Sequence, residues 1–134
     1  MLWCSTPGTF YWANNYTIGR ADLNGTEVNQ QFISVPYGPK GVAGLGITSR
    51  YIYWTNEQGG AIGRANLNGT DVNQRFITGA NSPTALAVSS RYIYWTNPLS
   101  QTLGRANLDG TDVNQRFITV RIGRIVGVAT NSAA

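Results

Sequence analysis

The sequence contains no histidine and only one cysteine among its 134 residues. Histidine is the commonest general base near neutral pH and a common metal ligand, so its absence weighs against an enzyme or a metalloprotein. Cys4 cannot form an intramolecular disulfide alone, and no histidine is present to activate its thiol as a nucleophile. We therefore expect a fold held together by packing, with no cofactor and no metal ion.

Charged residues and long hydrophobic runs are also scarce. Charged side chains make up 12% of the chain, and ten basic and six acidic residues give a formal net charge of +4. Residues 1–8 have neither the basic start nor the apolar run of a signal peptide, and no stretch approaches the length that spans a bilayer. The sequence predicts a soluble chain with no membrane partner and leaves its compartment open.

An internal repeat of about forty residues dominates what is present. Residues 49–78 recur almost letter for letter as residues 90–119, and a more divergent copy covers residues 9–34. The pair Tyr53-Trp54 returns as Tyr94-Trp95 after 41 residues. A fixed period of this size is typical of repeat architectures.

Each copy has the pattern of a short antiparallel meander. In the second copy, YIYWT at 51–55 is β-branched or aromatic throughout, and IGRANL at 62–67 leads into a further run at 70–78. An Asn-Gly or Asp-Gly pair stands before that last run in every copy and favours a type I′ hairpin. Aliphatic residues alternating with small ones precede the YW run, as in Leu45 and Ile47, and suit a crowded innermost strand. Four strands per period predict an all-β chain of β-propeller blades.

These residues resemble the YWTD repeat, also called the LDL receptor class B repeat. Tyr53-Trp54-Thr55-Asn56 and the segment IGRANLNG at 62–69 carry the likeness, which covers nearly the whole chain in three linked copies. The resemblance implies a six-bladed β-propeller, protein ligands and a place at the cell surface. One departure is systematic, because the Asp of the family is replaced by Asn. The replacing residues are Asn14, Asn56 and Asn97.

The copies divide the single domain into three predicted blades. Residues 9–34 supply strands two to four of the first blade, residues 42–78 the second blade and residues 83–119 the third. Residues 123–130 repeat the innermost-strand pattern with no strand after it. That unmatched strand contains Ile125, Val126 and Val128. The predicted blade core consists of Trp12, Trp54, Trp95, Phe32, Phe76 and Phe117.

Three blades do not close a ring, since propellers have typically four to eight. We therefore predict a two-fold symmetric homodimer, a six-bladed ring in which residues 123–130 complete the first blade of the partner. Two other origins stay open: the chain is a fragment of a longer six-repeat protein, or the product of a recent or engineered duplication.

Variation among the copies is confined to one set of loops, which the meander brings to one face. These loops are residues 13–17, 34–41, 57–61, 79–83, 98–102 and 120–124. Loops on a rigid scaffold commonly carry recognition, although loops also drift where tight turns do not. Most arginines recur with the repeat, which indicates a structural role. Tyr37, Lys40, Arg121 and Arg124 do not recur, and they form the candidate site for an acidic protein partner, with ordinary solubility as the alternative.

Catalysis and nucleic-acid binding have little support in the sequence. Five of the six acidic residues lie beside the predicted hairpins, too far apart for paired acid-base chemistry. The aromatic residues occupy blade positions and are not interleaved along a basic groove. We predict a non-catalytic protein-binding or structural scaffold. The alternatives are a ligand-free self-assembling module and an enzyme of a small six-bladed propeller class.

Overall fold

The computed structural model describes residues 8–36 and 42–131, and within these ranges the chain forms eleven β-strands and no helix. The strands are β1 (Thr9–Ala13), β2 (Thr17–Asp22), β3 (Asn29–Ser34), β4 (Val42–Ile47), β5 (Tyr51–Asn56), β6 (Ala61–Asn66), β7 (Asn73–Ile77), β8 (Leu86–Val88), β9 (Tyr92–Asn97), β10 (Thr102–Asn107) and β11 (Asn114–Thr119). They form three antiparallel sheets, which we number in chain order: β1-β2-β3, β4-β5-β6-β7 and β8-β9-β10-β11. Every sheet is therefore a meander, and the first has three strands.

A tryptophan over a glycine fixes the centre of each sheet. Trp54 on β5 is paired in register with Gly63 on β6, and a Cβ at Gly63 would lie only 2.2 Å from Trp54 Cε2. The first and third sheets repeat this contact with the same distance, at Gly19 and Gly104. The glycine before the recurring arginine of each sheet is thus required, because the indole ring occupies the space of a side chain.

The hairpins form where the Asn-Gly pairs predict them, but their turn type differs from the prediction. A type I′ turn needs positive φ at both central residues. Here Gly69 has a φ of 84°, whereas Asn68 is not among the described residues with positive φ. The Asn68 Oδ1 atom accepts hydrogen bonds from the backbone N (3.1 Å) and the Oγ1 (2.6 Å) of Thr70. This side-chain turn holds the asparagine in place and leaves the left-handed position to the glycine.

The core lies between consecutive sheets. Ile18 and Ile33 of the first sheet pack with Ile52 and Trp54 of the second, and all four are buried. An equivalent cluster joins the second sheet to the third. Its buried members include Tyr53, Ile62, Ile77, Ile93 and Trp95. The three sheets therefore stack in chain order, each through its flat apolar face.

Residues 123–130 form no strand in the single chain, although the sequence predicts one there. The prediction pairs this strand with a second copy of the chain, and a single chain does not test that pairing. The segment nevertheless packs on the third sheet: Ile125 is buried, and the Thr130 hydroxyl donates to Val88 O at 2.6 Å. Val126 points away and is 85% exposed. We call residues 123–131 the tail segment.

Candidate functional site

The variable loops gather on one side of the sheets. In each repeat a backbone hydrogen bond joins the loop after the YW strand to the segment that leaves the sheet, and in the second repeat its donor lies one residue further along the chain. These bonds run from Val35 N to Tyr16 O (2.7 Å), from Ala80 N to Gly60 O (3.0 Å) and from Val120 N to Gln101 O (2.8 Å). The described parts of these loops, residues 14–16, 35–36, 57–60, 78–85, 98–101 and 120–124, form what we call the loop face.

The invariant turns are held together on the opposite side. Leu67 N donates to Arg50 O at 3.2 Å, and Leu108 N donates to Arg91 O at 3.1 Å. These bonds link the turn before each YW strand to the hairpin that follows two strands later. We call the turns at 48–50, 67–70, 89–91 and 108–111 the hairpin face. The repeat therefore separates a variable surface from a constant one.

The predicted basic site is only partly described. Arg121 and Arg124 are exposed on the loop face. Tyr37 and Lys40 lie outside the described residues. Arg124 borders a cavity of about 290 Å³ between the loops of the second and third sheets. The cavity lining includes Glu57, Ser82, Pro98, Leu99, Gln101 and Arg124.

Two residues of this cavity were not identified from the sequence. Ser82 and Gln101 have left-handed backbones, with φ of 54° and 56°. Gln101 Nε2 donates to Gly123 O at 2.6 Å, while its buried Oε1 atom has no hydrogen-bond partner among the residues that the structure describes. The Ser82 hydroxyl donates to Glu57 Oε1 at 3.3 Å. The cavity is thus lined by a hydroxyl and by groups of both charges. Gln101 occupies the position of Gly60 in the second repeat, whose φ is also positive at 62°, so that glycine is the sequence signal for this backbone.

The recurring arginines serve the blades. The Arg64 guanidinium lies 4.2 Å from the Tyr51 ring centroid and 4.1 Å from that of Phe76. Arg105 repeats this sandwich between Tyr92 and Phe117, at 4.3 and 4.1 Å. A cation held between two aromatic faces within about 6 Å is stabilised by the ring quadrupoles. These arginines are therefore occupied within the fold.

Two asparagines, Asn56 and Asn97, are buried where the YWTD pattern has Asp. Asn97 donates from Nδ2 to Gln115 O at 3.2 Å and accepts at Oδ1 from Asn81 N at 2.9 Å. Asn56 likewise donates to Gln74 O at 2.9 Å, and both asparagines are buried. A carboxylate has no proton to donate to these carbonyl oxygens and would place a buried charge against them. The amide is thus the side chain that this environment accepts.

The acidic side chains mostly stabilise hairpins. Asp109 Oδ1 accepts from the backbone N of Thr111 at 3.0 Å and also from its hydroxyl. These bonds, the hydroxyl first, lower the pKa of Asp109 below its ordinary value of 3.8. Asp71 and Asp112 accept at 3.1 Å from Asn66 and Asn107. Within the described ranges, no three His, Cys, Asp or Glu side chains cluster as metal ligands. The same ranges hold no helix with the length and hydrophobicity that crossing a bilayer requires.

Comparisons with known proteins identify the fold. No protein-family model matches the chain, and no curated protein matches its sequence. A solved nidogen/laminin complex is 28% identical with a TM-score of 0.69, covering 80% of this chain and 43% of that chain. A streptogramin B lyase is 20% identical with a TM-score of 0.63, covering 80% of this chain and 36% of its own. A catalytically inactive virginiamycin B lyase from Staphylococcus aureus is 19% identical with a TM-score of 0.60, covering 82% and 38%.

The chain thus spans less than half the length of each of these proteins. They include a protein complex and enzymes, so the comparisons do not decide between binding and catalysis. What they share with this chain is its stack of antiparallel meanders. The chain is an all-β protein with the β-propeller fold.

Proposed function

We propose that this chain is a non-catalytic scaffold for protein recognition, a YWTD-like six-bladed propeller built from two copies of the chain. The observation that carries the proposal is the separation of a variable loop face from a constant hairpin face. The hairpin face keeps the same hydrogen bonds in successive repeats. The loop face changes in sequence, while each repeat keeps a backbone bond between its two loop segments. Variable side chains on a fixed framework are the usual design of a recognition surface.

The partner that fits the loop face best is an acidic protein segment. Arg121 and Arg124 are exposed there, and the net charge of +4 per chain is doubled in a dimer. Tyr37 and Lys40, in the variable loop at residues 34–41, add an aromatic ring and a cation to this set of loops. Clustered cations raise the association rate of an acidic partner and make binding sensitive to salt. The nidogen/laminin neighbour belongs to a protein complex, which agrees with this class of ligand.

A matched pair of double variants tests the proposal. Arg121→Ala with Arg124→Ala removes two charges from the loop face, and Arg50→Ala with Arg91→Ala removes two exposed charges from the hairpin face. Both are assayed on an array of tyrosine-containing acidic peptides with neutral and scrambled versions. We expect the loop-face variant to lose binding by at least about tenfold, as two exposed charge contacts of about 0.7 kcal/mol each predict. The control is expected to keep the wild-type affinity.

Two outcomes contradict the proposal. Equal losses in both variants show that the peptides respond to net charge, and the loop face is then not a binding site. Absence of peptide binding by the wild-type chain favours the second candidate, a self-assembling module without a ligand. That candidate is supported by the near identity of the second and third repeats.

A further inference from the structure

The two contacts between consecutive sheets use the same groups, and we call each a blade joint. At the joint between the second and third sheets, the Tyr53 hydroxyl donates to Leu108 O at 2.8 Å. At the preceding joint, the Tyr11 hydroxyl donates to Leu67 O at 3.3 Å. The tyrosine of one sheet therefore holds the hairpin of the next.

A second hydrogen bond crosses each joint in the opposite direction. Gln74 Nε2 donates to Ser34 O at 2.7 Å, and Gln115 Nε2 donates to Thr78 O at 2.9 Å. The glycine of each hairpin also faces a phenylalanine of the preceding sheet. A Cβ at Gly69 would meet the Phe32 ring at 3.1 Å, and one at Gly110 would meet Phe76 at 2.9 Å. A blade joint thus requires a fixed set of groups from both sheets.

The third sheet carries the trailing half of such a joint with no sheet against it. Tyr94, Phe117 and Ile118 occupy the positions of Tyr53, Phe76 and Ile77. Ile118 is 47% exposed, whereas Ile77 is only 2% exposed. The Tyr94 hydroxyl makes no hydrogen bond within residues 8–36 and 42–131. We call this surface the trailing face.

The first sheet carries the leading half, also uncovered by another described sheet. Leu23 is 67% exposed, whereas its counterparts Leu67 and Leu108 are half-buried against the two core clusters. A Cβ at Gly25 would have no described neighbour within 4 Å, in contrast to the two hairpin glycines that face a phenylalanine. We call this surface the leading face.

We propose that the trailing face binds the leading face of a second copy of this chain through a third blade joint. In it, the Tyr94 hydroxyl donates to Leu23 O of the second copy, and the Phe117 ring covers its Gly25. In return, Gln30 of the second copy donates to Thr119 O. This inference rests on the proposed two-chain propeller and assigns the residues that close it. The occupant is a second copy of the chain, because its first hairpin carries Leu23, Gly25 and Gln30, the counterparts of the leucine, glycine and glutamine that both internal joints use.

The tail segment lies where a fourth sheet would begin. Strand β8 lies beside β4 and runs in the same direction. A Cβ at Gly44 would touch Thr84 O, and one at Gly46 would touch the Val88 side chain. The tail segment lies beside β8 and also runs in the same direction. Arg124 shares a cavity with Thr84, and Thr130 donates to Val88 O. The tail therefore occupies the innermost position beside the third sheet and offers its outer edge to β1 of the second copy, whose strand pairs only with β2 among the described strands.

Two single variants and their mixture test the assignment. Leu23→Lys alters the leading face and Ile118→Glu alters the trailing face, both at positions that are exposed in one chain. A dimer of either variant carries the substitution at both joints. We expect each altered joint to raise the dimer dissociation constant by at least about 30-fold, as interface hot spots do. Leu99→Lys is the matched control, because Leu99 is 75% exposed on the loop face and belongs to no joint. Sedimentation velocity gives the mass, and circular dichroism checks that each variant folds.

Mixing the two variants separates this arrangement from other dimers. A ring of one Leu23→Lys chain and one Ile118→Glu chain has one unaltered joint, and its altered joint brings a lysine and a glutamate to the same contact. We expect the mixture to regain a species of twice the 14.5 kDa chain mass. If wild type is dimeric but the variants still dimerise, or the mixture stays monomeric, the joint is wrong and the assembly stands. A monomeric wild type overturns the assembly as well.

Discussion

At the scale of single residues, equivalent tryptophans occupy unequal environments. Trp54 is fully buried between the first and second sheets, whereas Trp12 is only half-buried. We expect Trp54→Ala to lower the free energy of unfolding by about 3–5 kcal/mol, as for other core aromatics, and Trp12→Ala to lower it clearly less. Urea denaturation followed by circular dichroism measures both. Equal losses at low protein concentration would show that burial does not set the cost.

The tyrosine at a blade joint gives a pH-dependent prediction. Burial raises the pKa of Tyr53 above its ordinary value of 10.0. Its neutral form is therefore favoured in the folded state, so this stabilisation is complete below pH 10 and declines as the pH rises through the higher folded pKa. We expect Tyr53→Phe to cost about 0.5–1.5 kcal/mol at pH 7, because Leu108 O loses its donor. Chemical denaturation at pH 7 and pH 11 checks this, with a smaller difference between wild type and variant expected at pH 11.

The residues of the loop-face cavity mark the limit of prediction at this scale. The paired arginines and aromatics recur, so their structural role is readable from the repeat. Ser82 and Gln101 have left-handed backbones and hydrogen-bond to neighbouring segments, Ser82 through its hydroxyl to Glu57 and Gln101 through its carbonyl oxygen to Val120 N. Those bonds depend on how the loops are juxtaposed, and neither residue type signals such a backbone. A local pattern therefore predicts the blade and not the details of its loops.

At the scale of elements, hairpin positions were predictable and turn geometry was not. The Asn-Gly and Asp-Gly pairs marked the last hairpin of each sheet, but the Asn68 side chain accepts from Thr70 and its own backbone stays out of the left-handed region. We expect Asn68→Ala to cost about 1 kcal/mol, the net contribution of one or two exposed side-chain hydrogen bonds. Thermal unfolding compares it with Asn68→Asp, which retains the acceptor as Asp109 does in the third sheet. A larger loss for the aspartate than for the alanine would contradict the role of the acceptor.

We expect the tail segment to form a strand only when a second copy of the chain pairs with it. Its alternating pattern predicted a strand, and one chain provides a docking surface without a pairing edge. We expect deletion of residues 125–134 to abolish dimerisation while the near- and far-ultraviolet spectra of the three sheets change little. Light scattering coupled to size exclusion measures the mass. A deleted chain that dimerises with the wild-type dissociation constant would show that the tail takes no part in assembly.

At the scale of the whole molecule, assembly links stability to concentration. If folding and pairing are coupled, raising the concentration about 100-fold adds about 2.7 kcal/mol per dimer and raises Tm by about 5 °C for a molecule of this size. Differential scanning calorimetry across that range measures the shift. A Tm that is independent of concentration contradicts coupled folding and pairing. The count of three blades in the sequence predicts pairing of two chains. The residues of the blade joint become apparent only in the three-dimensional structure.

The blade joints are so similar that one sheet could pair with the wrong neighbour during folding or assembly. Their hydrogen-bond acceptors are backbone carbonyls, and the groups that meet there differ little from one repeat to the next. A nascent chain thus has no local means of telling a correct neighbour from one displaced by a whole repeat. In the proposed six-bladed ring, a pairing displaced by one repeat would leave a gap, and only the closed ring would give every hairpin a neighbouring sheet. Closure of the whole ring, and no individual side chain, would then distinguish correct from displaced pairings.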